Sequence, residues 1–312
     1  GQLADGGAEQ AAQPGQAGGG RGGGAAAGPR AAHDVIVSSV RTTARGTAAI
    51  VTSGGRLLRI GVLEIPALPP GAHSPALAGG APVTEFVSLA PGETVAGLAA
   101  ADPSGAGLAL GTAAGVVKRV TADYPGNAAE FDLISLKAGD RVIGAVQLPS
   151  DTQDLVFITS DAQLLRFPAT SVRPQGRAAA GMAGIRLAAG ASVVWFGAVS
   201  PGGSAEGGGP VVVTVAGPAG ALPGTRAATV KVTPYREYPA KGRATGGVRC
   251  HRFLKSKGED ALVLAWAGPA PALGATDAGM PVDLPAPVPR RDGSGIVVAQ
   301  PLAALGGLAP PG

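Results

Sequence analysis

Two stretches of this 312-residue chain repeat a pattern suited to binding phosphate. The first reads Gly176-Arg177-Ala178-Ala179-Ala180-Gly181-Met182, and Arg186 follows. The second reads Gly242-Arg243-Ala244-Thr245-Gly246-Gly247-Val248, and Arg252 follows. The interval from opening glycine to second arginine is ten residues in both. Small residues let the main chain approach a phosphate closely, and backbone N–H groups there accept its charge. Arginine adds a planar fork for two phosphate oxygens. Arg173 stands before the first loop, Lys241 before the second, and Arg249 within the second. Neither loop ends in the Gly-Lys-Ser/Thr of a nucleotide P-loop, so the pattern does not suit ATP. The same Gly-Arg-Ala string also suits a plain tight turn with a solvated arginine.

Other chemistry is poorly supplied. His33, His73 and His251 lie far apart, without metal-ligand spacing. The single Cys250 excludes an intramolecular disulfide framework and a Cys-rich zinc site, and suits a reducing cytoplasm. Adjacent side chains of a strand point to opposite faces, which predicts a core Cys250 beside a surface His251. No Gly-x-Ser-x-Gly elbow is present. Asp151/Asp154 and Glu259/Asp260 fall in turns and read as solubilising loops. No catalytic residue and no metal ligand is expected in this segment.

The charge is polarised. The net +4 combines +11 between Arg166 and Lys257 with −7 between Ile60 and Leu165. A contrast this steep suits a polyanion partner, although basic side chains also simply solvate a globular face.

The elements that must position these cations are short. Gly and Pro make up 80 of 312 residues, which rules against long helices. Aromatics are 4%, so a core must come from Val, Leu, Ile and Ala. Runs such as AAIVTSG, LALGTAAG, LVFITSD and VVVTVAG each read as a buried strand followed by a turn. They belong to a repeat. Its front half is a strand, a turn and a second strand with a basic residue near its end: Arg59, Arg119, Arg166 and Lys231, with Asp283 at the matching place in a fifth copy. Its back half recurs as FVSLAPGETVAGLA, LISLKAGDRVIGAV, IRLAAGASVVWFGAV and HRFLKSKGEDALVLAWAG, with GIVVAQPL as a worn fifth copy. A repeat near 50 residues with about four strands is a blade-type unit. The sequence therefore predicts an all-β, propeller-like ring of about five blades of four strands over residues 35–300. Residues 1–34, with GGGRGGGAAAGPR in their middle, read as a flexible linker, and 301–312 as a flexible tail. The chain opens at Gly1 without Met and reads as a piece of a longer protein.

The segments LGTAAGVVKRVTADYP, ITSDAQLLRFPATSVRPQGRAAAGMAGIRL and YPAKGRATGGVRCHRFLK resemble the C-terminal domain of the A subunit of bacterial type IIA topoisomerases, gyrase and topoisomerase IV. The resemblance covers roughly Val35 to Leu284. It implies a β-pinwheel with strands exchanged between neighbouring blades, which binds and bends double-stranded DNA and presents it to a cleavage core. It implies a cytoplasmic, nucleoid-associated isomerase as the parent protein. The A-subunit dimer, the B subunit, ATP and Mg would engage parts of that parent outside this non-catalytic segment. The cations expected to hold the DNA are those of the loops, Arg173, Arg177, Arg186, Lys241, Arg243, Arg249 and Arg252, with Arg59, Arg119, Arg166 and Lys231 as a second tier whose strand-end position also suits a structural role, pairing with acids of a neighbouring blade. Gyrase A subunits carry a Gln-Arg-Arg-Gly-Gly-Lys-Gly box in an early blade; here that region reads IPALPPGAHSPALAGGAPVTEF, without a cation. This departure resembles the topoisomerase IV type, or a gyrase-like paralogue from a high-GC actinobacterium. Tyr124, Tyr235 and Tyr238 do not match the context of the family's cleaving tyrosine and read as turn-packing residues. Trp195 and Trp266 read as inter-blade packing.

Two rival readings share the ring. A protein-interaction platform would ignore DNA and bind through apolar loop patches. A channel enzyme would need convergent polar residues on inner strands, which are nearly all aliphatic.

Overall fold

The computed structural model describes residues 35–67, 80–102, 105–121, 123–202, 208–225 and 228–308. The expected linker 1–34, with Arg21, Arg30 and His33, lies outside the described residues, as do His73 and positions 309–312.

The front-half hairpins form for a local reason. A threonine ends the first strand, and its hydroxyl accepts the backbone N–H four residues on, a side-chain turn that fixes the reversal. This bond runs from Arg56 to Thr52 at 3.2 Å, Val116 to Thr112 at 3.1 Å, Gln163 to Thr159 at 3.0 Å and Met280 to Thr276 at 3.1 Å. The T-x-x-G/A spelling of each turn is thus the hairpin's own instruction. The fourth copy has Ala216 instead and closes through a longer loop.

The hairpins seed five sheets. In the first, Thr47–Thr52 pairs with Arg56–Gly61 and with Val95–Ala100. In the second, Gly107–Thr112 pairs with Val116–Val120 and Val142–Leu148. The third combines Asp154–Thr159, Gln163–Pro168 and Val193–Val199, and the fourth Val211–Gly217, Thr229–Pro234 and Ala261–Gly268. The outer strand of each comes from the following unit. Glu130–Asp132 borders the first sheet, Met182–Ala183 the second, Val248–Arg249 the third and Ile296–Val297 the fourth. The second sheet gains a fifth strand, Pro174–Gln175, parallel to Val116–Val120. The fifth sheet has three strands, Leu273–Ala275, Pro281–Val282 and Ala304–Gly306. The exchanged strands that the resemblance implies are therefore present.

Each sheet is apolar on both faces, so the core lies between blades. Leu57 and Val51 of the first meet Leu108 and Leu110 of the second. Ala109 and Leu148 meet Phe157 and Phe196 of the third. Ile158 and Val199 meet Val212 and Leu262 of the fourth, and Val213 and Trp266 meet Leu302 and Leu305 of the fifth. At about 25 cal/mol per Å² of apolar area removed from water, this blade-on-blade burial is the main favourable term. The inner strands approach closely: a Cβ on Gly144 would run into the Phe196 carbonyl of the next blade.

Residues 35–38 close the ring. Ile36 and Gly307 exchange two backbone hydrogen bonds of 3.1 Å, and the Ser38 hydroxyl accepts the Leu98 N–H at 2.9 Å. The segment thus joins the fifth blade to the first. This corrects the expected tail: Ala304–Gly306 is a paired strand, and Gly307 is half of the closure. Its partner lies at the opposite end of the described chain, where local sequence gives no sign of it.

Candidate nucleic-acid interface

Each Gly-Arg loop leads into an exchanged outer strand. Met182 pairs with Val117, and Val248 pairs with Leu164, the residue equivalent to Val117 in the next blade. Gly181 and Gly247 precede these residues with φ of +84° and +75°, and a Cβ on either would press on the carbonyl of Val117 or Leu164. Only glycine enters the strand this way. Inside the loops, the Ala179 N–H donates to the Gly176 carbonyl at 3.0 Å, and the Thr245 hydroxyl donates to the Gly242 carbonyl at 2.8 Å.

Successive loops are stitched along the rim. Ser135 N–H donates to Ala179 O at 3.3 Å, and Arg186 N–H donates to Thr245 O at 3.0 Å. Ala244 N–H donates to Gly184 O at 2.7 Å. The two phosphate-type turns therefore occupy one register on adjacent blade edges and are bonded edge to edge.

The structure groups the first-tier cations by blade. Arg173, Arg177 and Arg186 flank the outer edge of the second sheet; Lys241, Arg243, Arg249 and Arg252 flank that of the third. Arg173, Arg186, Arg249 and Arg252 are exposed. Arg177 is half-buried: its Nε donates to the Asp123 carbonyl at 3.2 Å, and its guanidinium lies 5.3 Å from the Phe131 ring centre. Arg243 likewise reaches back one blade, with Nη1 donating to Ala183 O. Lys241 Nζ donates to Gly247 O at 3.1 Å. Among the described residues none of these cations has a carboxylate within 4.0 Å. The first blade's edge is of opposite character. Gly126 stands where Arg177 would, Ser135 where Arg186 would, and exposed Glu130 and Asp132 form its outer strand.

The second-tier residues are engaged within the fold, as the structural alternative for them expects. Arg119 is 8% exposed and donates to the carbonyls of Ala106, Ala169 and Val172. Arg59 donates to the carbonyls of Ala101, Pro125 and Ala128. Arg166 pairs with Asp154 at 2.9 Å, donates to Tyr238 O and lies over the Tyr235 ring. Each fastens the crossing segment of the next unit to its own blade. Lys231 is 2% exposed and donates to the carbonyls of Arg290 and Arg291. The register also moves Lys231 one place: it follows Val230, which pairs with Ile296, as Lys118 follows Val117, which pairs with Met182.

Lys118 is the positioning residue that composition could not reveal. It is fully buried, and its Nζ donates to Leu133 O, Arg177 O and Ala179 O at 2.8, 3.0 and 2.7 Å. It thus holds the first Gly-Arg loop from beneath. Burial pulls Lys118 and Lys231 down to about 8, the largest influence on each. The signal was the VVKRV string, in which two adjacent cations point to opposite faces of a strand whose two faces are both covered.

His251 is buried, not exposed. Its Nδ1 pairs with the Thr214 hydroxyl at 2.9 Å, and its Nε2 accepts the Gly295 N–H at 3.3 Å. The exchanged strand of the following unit covers the face that alternation assigned to solvent. Burial holds this imidazole down at about 3 and pushes the Cys250 thiol up to about 12. Tyr235 and Tyr238 are buried between the third and fourth blades, and Tyr124 packs on Phe131. Trp195 and Trp266 pack in the inter-blade core. Among the described residues no group of three His, Cys, Asp or Glu side chains could hold a metal ion, and no helix is long and apolar enough to cross a membrane.

Comparison with known proteins agrees with this geometry. The family model described as DNA gyrase C-terminal domain, beta-propeller, matches residues 153–200 and 224–250, which contain both Gly-Arg loops. The chain is 28% identical over 201 residues to the DNA gyrase A subunit of Klebsiella oxytoca, a match covering 63% of this chain and 20% of that one. It is 36% identical over 140 residues to the DNA gyrase A subunit of Deinococcus deserti, covering 44% of this chain and 16% of that one. The chain thus matches a fifth or less of the length of these curated relatives. The solved C-terminal domain of DNA topoisomerase IV superposes with a TM-score of 0.64 at 17% identity, over 85% of this chain and 79% of that one. The DNA gyrase A C-terminal domain gives 0.58 at 16% identity, over 86% and 84%. Over its middle blades the chain is similar in sequence to the C-terminal β-propeller domain of DNA gyrase A subunits, and over most of its length it shares the fold of the C-terminal domains of DNA gyrase A and DNA topoisomerase IV.

Proposed function

We propose that this chain is the DNA-holding segment of an ATP-dependent type II topoisomerase A subunit. It grips duplex DNA by its phosphates along the blade rim, bends it and presents it to a cleavage core elsewhere in the parent protein. The segment itself performs no chemistry. ATP and magnesium, the A-subunit dimer and the B subunit belong to the rest of the parent, a cytoplasmic, nucleoid-associated protein.

One observation carries this reading. The same glycine-arginine turn stands at the same register on two adjacent blade edges, bonded edge to edge and surrounded by cations that have no carboxylate within 4.0 Å among the described residues. A duplex following that rim would meet cations on both of these blade edges. Contacts of this type read deformability rather than base sequence.

The test is circularisation of a short duplex by this chain, with the Arg177→Ala/Arg243→Ala double variant beside it, and a salt titration of affinity. About six phosphate contacts give a slope of log K on log salt of roughly −5. Enhanced circularisation that the double variant loses supports the reading. A slope near zero, or equal behaviour of the two proteins, rejects it in favour of the protein-interaction platform.

A further inference from the structure

The rim carries a third turn at the equivalent position, Arg290-Arg291-Asp292-Gly293-Ser294-Gly295, whose closing glycine lacks the positive φ of Gly181 and Gly247. Three observations align it with the other two. Ile296 follows it and pairs with Val230, as Met182 pairs with Val117 and Val248 with Leu164. Arg252 N–H donates to Gly293 O at 3.0 Å, the bond that Arg186 makes to Thr245 and Ser135 to Ala179. The Lys231 ammonium donates to Arg290 O and Arg291 O from beneath, as Lys118 does to the loop holding Arg177. Residue by residue, Arg291 then stands where Arg177 and Arg243 stand, and Gly295 where Gly181 and Gly247 stand.

Arg290 replaces the opening glycine. That position tolerates a side chain, because a Cβ on Gly176 or Gly242 would meet nothing within 4 Å. Arg290 is exposed and paired with Asp292 at 3.3 Å, whereas Arg291 has no carboxylate within 4.0 Å among the described residues.

We propose that the Arg290–Gly295 turn is a third phosphate-binding turn, with Arg291 as its principal ligand. It extends the polyanion track from the second and third blades onto the fourth. This inference rests on the DNA-holding function proposed above. The track is then continuous through stitched turns on blades two, three and four, and it stops at the acidic edge of the first blade.

The experiment measures duplex affinity of the full chain against salt for four proteins: wild type, Arg177→Ala, Arg291→Ala and Asp292→Asn. Loss of one phosphate contact reduces the slope by about one. Arg291→Ala is expected to weaken binding and reduce the slope as Arg177→Ala does. Asp292→Asn removes an anion from the turn, frees Arg290 and is expected to tighten binding. It tests the turn even if Arg291→Ala fails to fold. An effect of Arg177→Ala with none from either change in the third turn overturns this inference and leaves the proposed function standing. No effect from any variant overturns both.

Discussion

A phosphate ligand must keep its charge and reach solvent, and the cations of this chain separate on those two requirements. Arg186 and Arg252 meet both. Replacing either by Ala is expected to reduce the salt slope of duplex binding by about one while changing unfolding free energy by less than about 0.5 kcal/mol. Arg119 fails the second, since it is buried and spent on three carbonyls. Arg119→Met leaves those acceptors short inside the protein and is expected to cost about 3 kcal/mol in a urea titration, with the salt slope unchanged. Stability loss from Arg252→Ala as large as that from Arg119→Met would show that the division is drawn wrongly. The buried lysines add a pH dependence. Lys118 faces Asp123 and Arg177; Lys231 faces Cys250, Asp292 and Arg291. Both are bases held at about 8, so they are ammonium groups below that pH and neutral amines above it. Between there and the ordinary lysine value near 10.5, the unfolded chain holds protons that the folded chain has released. Their contribution to stability therefore rises with pH across that window. Positive charge beneath the loops falls over the same window. Duplex affinity at fixed salt is expected to drop between pH 7 and about 9. The drop should vanish in the Lys118→Met/Lys231→Met double variant, and a flat wild-type profile rejects this coupling.

At the scale of elements, the outer strands decide most of what the side chains do. Each is two or three residues long and borrowed from the next unit, so it has almost no intrinsic stability and depends on what it covers. His251 illustrates this. It stays neutral under the strand that begins beside Gly295, and its folded value of about 3 lies below the ordinary 6.5. The stabilising contribution is complete above pH 6.5 and is lost as pH falls towards 3, at about 1.4 kcal/mol per unit. Thermal unfolding between pH 7 and 4 should show this slope, and His251→Gln should flatten it; an unchanged slope in the variant would assign the acid loss to carboxylates. The hairpins were legible in the sequence because everything that makes them is local: the Thr hydroxyl, the turn glycine and the aliphatic runs lie within about a dozen residues. The Gly-Arg turns were legible for the same reason. The inward Lys118, the burial of His251 and the third turn at Arg291 were not. Each depends on a strand from another unit, and Arg290 in place of the opening glycine hides the third spelling.

At the scale of the whole molecule, closure and the proposed DNA track use different parts of the ring. Five blades packed face to face leave one junction that no chain continuity supplies, between the fifth and the first. Residues 35–38 fill it through the Ile36–Gly307 pair and the Ser38–Leu98 bond. The rim cations sit on the second, third and fourth blades, away from that junction. A closed ring keeps the inner strands in place, and inner-strand packing sets the angle at which successive outer edges follow one another. Opening the ring should therefore alter the curvature of the track more than its charge. A chain beginning after Ser38 is expected to lose hydrogen-exchange protection at Leu98 and Gly307, by tenfold or more for about 1.4 kcal/mol of lost local stability. Amides of Asp154–Thr159, flanked by strands on both sides in the third sheet, should keep theirs. The salt slope of duplex binding should match that of the intact chain, while circularisation efficiency falls. A fall in slope would place part of the phosphate contact at the junction itself, and uniform loss of exchange protection would mean that the blades unfold as one cooperative unit whose closure cannot be separated from its stability.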